Sequence, residues 1–90
     1  MKRADFDWAS ESRTNFDKDR YDRARSSLRR FRRIFRKHSD VITGYWIGSR
    51  NGEPYVMVAI ERGKVEKPEE LLPDRLDNYK VYYIEGTLHI

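Results

Sequence analysis

VITGYWIGSRNGEPYVMVAIER, residues 41–62, decides the fold. Its two halves are rich in β-branched and aromatic residues and are separated by SRNGEP. The Asn51-Gly52 pair at the centre supplies two residues that accept positive φ, which a two-residue hairpin turn requires. The spacing predicts two antiparallel strands. With Arg50 opposite Glu53, Ile47 faces Val56 and Tyr45 faces Val58 on one side of the sheet. Trp46 then faces Met57, and Gly48 faces Tyr55, on the other side. The first side is the better core. The second side, Trp46, Tyr55 and Met57 with Tyr82 of a later strand, reads as an apolar face left open for an interaction.

Upstream of this hairpin, RARSSLRRFRRIFRKH (residues 23–38) places eight positive side chains and no negative one in sixteen positions. Helix signals begin at about Thr14, where Thr14 and Asn15 are good N-caps and Asp17, Asp19 and Asp22 follow in the early turns. At about 100° per residue, Tyr21, Ala24, Leu28, Phe31, Ile34, Phe35 and His38 fall on one stripe of that helix. The stripe predicts one long amphipathic helix packed on the sheet, with Arg25, Arg29, Arg32 and Arg36 on one flank and Arg23, Arg30, Arg33 and Lys37 behind. These cations are the expected polyanion-binding set: Arg25, Arg29, Arg30, Arg32, Arg33, Arg36 and Lys37. Outside this segment the chain carries 11 Lys and Arg against 15 acids, so the net charge of +4 belongs to the helix.

Downstream, residues 63–78 form a connection that holds two prolines. Pro68, Glu69, Glu70, Leu71 and Leu72 read as a short proline-initiated helical turn, and PDRLDN (residues 73–78) as irregular chain with Leu76 tucked inward. YKVYYIEGTLHI, residues 79–90, predicts a third strand with a bend at Gly86. The expected architecture is α+β: one long N-terminal basic helix on a three-stranded, mainly antiparallel sheet. Residues 1–13 lack sustained periodicity and are expected as a flexible N-terminal arm, outside a single domain of residues 14–90. Phe6 and Trp8 in that arm are placed to fold back onto the domain or onto a partner.

The absence of cysteine excludes disulfides, thiol catalysis and Cys-ligated metal sites. The longest apolar run is residues 56–60, far below the roughly 20 residues of a membrane span. MKRADFDWASES has no apolar stretch behind its basic residues, unlike a secretory signal. These features lead us to expect a cytoplasmic protein with no membrane partner. His38, Ser39 and Asp40 are adjacent, and consecutive residues cannot present their side chains in a catalytic line. His89 has no metal-ligand spacing with His38. Gly44 and Gly48 do not open a helix, so no phosphate-loop pattern exists. Neither a catalytic residue nor a cofactor is expected.

The ending YKVYYIEGTLHI resembles the final strands of RelE/ParE-type toxins, which implies a ribonuclease as a third functional class. The resemblance covers residues 79–90. No catalytic residue carries over, because the arginine-bearing middle strands of that family have no match in the apolar, glycine-bearing hairpin.

Two binding functions remain. A chain of 90 residues builds a thin core, and a second copy on the open face would enlarge it. The first expectation is therefore a non-enzymatic, self-associating interaction module, a homodimer or the partner of another protein. The alternative is a nucleic-acid-binding protein that uses the arginine-rich helix, since arginine binds phosphate bidentately and stacks on bases.

Overall fold

The computed structural model describes residues 1–11 and 17–86. In chain order the elements are β1 (Lys2–Arg3), α1 (Trp8–Glu11), α2 (Lys18–Arg29), α3 (Arg32–Lys37), β2 (Ile42–Arg50), β3 (Glu53–Ile60), a 3-10 turn (Pro68–Glu70), β4 (Arg75–Leu76) and β5 (Tyr79–Glu85). The class is α+β, as the hydrophobic patterning implies.

The hairpin forms in the expected register. Tyr45 pairs with Val58, Trp46 with Met57, Ile47 with Val56, Gly48 with Tyr55 and Arg50 with Glu53. Asn51 and Gly52 both take positive φ, 54° and 78°, so the turn matches the right-handed twist of its strands. A register shift between Ile42 and Gly44 bends the start of β2.

The sheet itself departs from expectation. It has five strands, not three, in the order β1-β5-β3-β2 with β4 pairing off β5. It is not mainly antiparallel either, because β5 runs parallel to β3, Val56 beside Val81 and Val58 beside Tyr83. β1 runs parallel to β5 on its other side. A parallel neighbour requires a crossover of a dozen or more residues, and residues 61–78 are that crossover. They also close the core: Leu72 and Leu76 are buried in it, and Val65 and Leu71 pack against it. The stretch 73–78, expected to be irregular, instead contains β4. Asp77, with φ 55°, starts a two-residue turn into β5 that pairs Arg75 with Lys80 and Leu76 with Tyr79.

The single long helix is also corrected. It begins at Lys18, where the Asp17 carboxylate caps it by accepting from the Arg20 amide at 3.2 Å. Thr14 and Asn15, the expected caps, lie outside the described residues. At Arg30 and Phe31 the helix breaks. The Arg30 and Phe31 amides donate to Ser27 and Leu28, three residues back, which tightens the last turn of α2 before α3 restarts. No glycine or proline marks this point. On the two sides of the break, Ala24 and Ser27 of α2 are small and buried, and Phe35 of α3 stacks on Tyr45. Those two rings lie parallel with centroids 4.0 Å apart. The apolar stripe survives the break, since Tyr21, Leu28, Phe31 and Ile34 all pack against the same core as Ala24 and Phe35.

The start of the chain is built into the sheet edge. The Met1 side chain is in the core, and its α-amino nitrogen donates to the Glu69 and Leu72 carbonyl oxygens, 2.8 Å each, with the Asp74 carboxylate at 3.2 Å. Tyr83 on β5 reaches the same connection, its hydroxyl donating to Glu69 Oε2 at 3.4 Å. Burial first, and then the Glu69 and Glu85 carboxylates, push the Tyr83 hydroxyl above its ordinary value of 10.0.

Two outcomes follow from this packing. Phe35→Ala removes a buried ring stacked on Tyr45 and lowers stability by about 3 to 5 kcal/mol in chemical denaturation. The folded state keeps the Tyr83 proton to higher pH than the unfolded chain does. Its contribution to stability is therefore intact below the ordinary tyrosine value and is lost as pH rises through the folded one. In pH-dependent denaturation, Tyr83→Phe is expected to flatten this alkaline decline.

Candidate functional site

Two surfaces are marked by the sequence, and the structure places them on opposite sides of the sheet. The first is the outward surface of α2 and α3. Arg25, Arg29, Arg30, Arg32, Arg33, Arg36 and Lys37 are all exposed on it. Among the described residues only Arg30 of this set is held in an ion pair, 3.7 Å from Asp77 in the β4–β5 turn. Arg25 sits over the Tyr21 ring at 5.9 Å. The helix break divides the cations into Arg25 and Arg29 on α2, Arg30 at its C-terminal cap, and Arg32, Arg33, Arg36 and Lys37 on α3. Arg25, Arg29 and Arg32 converge with Tyr45 on a shallow recess of about 180 Å³. Tyr45 is also the one large hydrophobic side chain left exposed among the described residues, at 38%.

The second surface is the expected interaction face, and here the chain covers itself. Of residues 1–13, expected as an arm, the described part through residue 11 lies against the sheet: Phe6 meets Tyr55 and Tyr82 edge-on, with centroids 5.6 and 5.0 Å away, and Trp8 meets Trp46 at 5.5 Å. Tyr55 and Tyr82 are themselves edge-to-face at 5.2 Å. Such ring pairs each add roughly 0.5 to 1.5 kcal/mol beyond the area they bury. Met57 is fully buried, Tyr55 is 2% exposed, and Trp46 and Tyr82 are half-buried. The guanidinium of Arg50 lies 4.1 Å over the Phe6 ring and closes the packing at the turn end.

Gly48 makes this aromatic layer possible. A Cβ there would stand 2.4 Å from Cζ of Tyr55, so the bare backbone is what seats the cross-strand ring.

The structure also gathers cations that sequence reasoning passed over. Arg50, Arg75 and Lys80 come from three strands and line one cleft beside the two turns. Each is an isolated base in the sequence. The available signal is the pair of turns: Arg50 flanks Asn51-Gly52, and Arg75 and Lys80 flank Leu76 to Tyr79 around Asp77-Asn78. Of the two, only Asn51-Gly52 carries a strong hairpin signature.

His38 is half-buried at the end of α3, and His89 lies outside the described residues. Among the described residues no group of three or more His, Asp or Glu side chains is placed to hold a metal ion. None of the helices among them is long and apolar enough to cross a membrane. The chain matches no protein family model, no curated protein and no solved structure.

Because Trp8 and Trp46 are the two tryptophans of the chain and lie against each other, their transitions couple. The near-ultraviolet circular dichroism is expected to show that coupling, and Trp8→Phe to abolish it. A spectrum unchanged by the substitution would place Trp8 away from the sheet.

Proposed function

We propose that this protein binds nucleic acid through the outer surface of α2 and α3, gripping phosphates without reading sequence and without a chemical step of its own. One observation carries the reading: a dense row of arginines faces solvent with almost no carboxylate to neutralise it. On each helical segment, neighbours three or four residues apart stand roughly 5 to 6 Å from one another, which suits successive contacts along a charged backbone. Arginine supplies a bidentate fork at every such contact. The apolar side of both segments is committed to the core, so the helix backbones that carry the cations are held in place.

Self-association is the second reading, and it rests on an open apolar face. With Phe6 and Trp8 seated there and Tyr45 alone exposed among the large hydrophobics described, that face offers less area for a second copy. A ribonuclease reading draws support from no residue cluster among the described residues.

The test is titration of labelled single- and double-stranded DNA and RNA at several salt concentrations. Binding is expected to weaken steeply with salt. Arg29→Glu combined with Arg33→Glu should reduce the logarithmic salt slope on duplex by roughly 0.9 for each phosphate no longer neutralised. Both positions are exposed, so the melting temperature should hold. Absence of binding at low salt would refute the proposal.

A further inference from the structure

One end of the sheet carries both tight turns, Asn51-Gly52 and Asp77-Asn78. Between them opens a cleft of about 360 Å³ whose walls include Arg50, Arg75 and Lys80, with one carboxylate, Glu53. The amides of Asn51 and Asn78 and the half-buried ring of Tyr82 complete it.

The pairing of the cations is informative. Arg75 and Lys80 are direct cross-strand partners in the β4–β5 hairpin. Like charges placed opposite each other weaken a sheet. Neither is held in an ion pair within 4.0 Å among the described residues, so no carboxylate is bound directly to either member of this like-charged pair. An anion bound across the two would remove that repulsion. Arg50 is already oriented, its guanidinium resting on Phe6.

Arg75 also lines both neighbouring recesses. One, of about 190 Å³, adds Lys2 at the sheet edge. The other, of about 360 Å³, adds Arg20 and Arg23 of α2. Cations outnumber acids along these recesses, with Lys2, Lys80 and Arg75 beside Asp74 in the first, and Arg75, Arg23 and the Asp17-paired Arg20 beside Glu53 in the second. The main cleft falls at the small end of the roughly 300–1,000 Å³ range of ligand sites, which suits one nucleotide and not a base pair.

We infer that this cleft is a second nucleic-acid subsite, which takes a single unpaired nucleotide. Arg75 and Lys80 contact its phosphates, the Asn51 and Asn78 amides offer donors and acceptors to the base edge, and the half-buried Tyr82, packed edge-on against Phe6 and Tyr55, forms an apolar wall. The inference rests on the reading of α2 and α3 as a phosphate-binding surface, and adds to it a preference for single strands over blunt duplex.

The experiment compares three RNA probes by fluorescence anisotropy: a single-stranded oligonucleotide, a blunt duplex, and the same duplex with a single-stranded overhang. The wild-type chain should favour the single strand and the overhang. Arg75→Ala combined with Lys80→Ala should lower affinity for those two by about tenfold and leave the blunt duplex unaffected. The variant's melting temperature should stay level or rise as the repulsion is relieved. If wild type binds but the variant is unimpaired, or is weakened equally on all three probes, the cleft inference fails and the helix surface stands. If wild type binds none of the probes at low salt, the helix reading fails and the cleft inference falls with it.

Discussion

The structure depends on covering one strand from both sides. Residues 55–60 of β3 are each no more than 2% exposed, with Val56, Val58 and Ile60 turned to the helices and Tyr55, Met57 and Ala59 turned the other way. An unbroken apolar run of this kind has no wet face, so both surfaces of the sheet need a lid. One lid is α2, α3 and the crossover. The other is the N-terminal segment, which brings Phe6 and Trp8 onto the aromatic side. Removing either would expose side chains that have no favourable contact with water.

That constraint also determines where charge goes. With both sheet faces occupied, the cations of the described residues lie on the outer side of the helices, at the ends and edges of the strands and along the crossover. On the helices, Ala24 and Phe35 are buried on either side of the break while the arginines stay outside. At the strand ends, two turns bring Arg50, Arg75 and Lys80 to one cleft. The electrostatic character of the molecule is thus a consequence of its packing, and its binding chemistry is built on what packing leaves outside.

Much of this is legible in the residues. Asn51-Gly52 and the alternation around it determine the hairpin register pair by pair, and the stripe from Tyr21 to Phe35 marks the buried side of the helices. Other features are legible only in part. A connection as long as residues 63–78 is itself a sign of a parallel crossover, and the apolar run in β3 is a sign of a strand buried twice, but neither fits an antiparallel meander. The two-residue β1 is too short to carry any periodicity. The helix break falls at Arg30 and Phe31, where neither glycine nor proline signals it. The cations of the cleft are scattered in sequence and meet only through β5 pairing with both β3 and β4. The cover on the second face is visible as Phe6 and Trp8, although nothing in their local pattern distinguishes contact with the chain itself from contact with a partner.

The direction of β5 relative to β3 is where the account is most exposed, since the crossover, the β1 edge and the cleft all depend on it. Interstrand nuclear Overhauser effects measure it directly. Close Hα–Hα contacts are expected between β2 and β3, where the strands are antiparallel, and none between residues 55–60 and 79–85, where parallel neighbours hold these protons apart. Strong Hα–Hα contacts between β3 and β5 would contradict the topology and everything placed upon it.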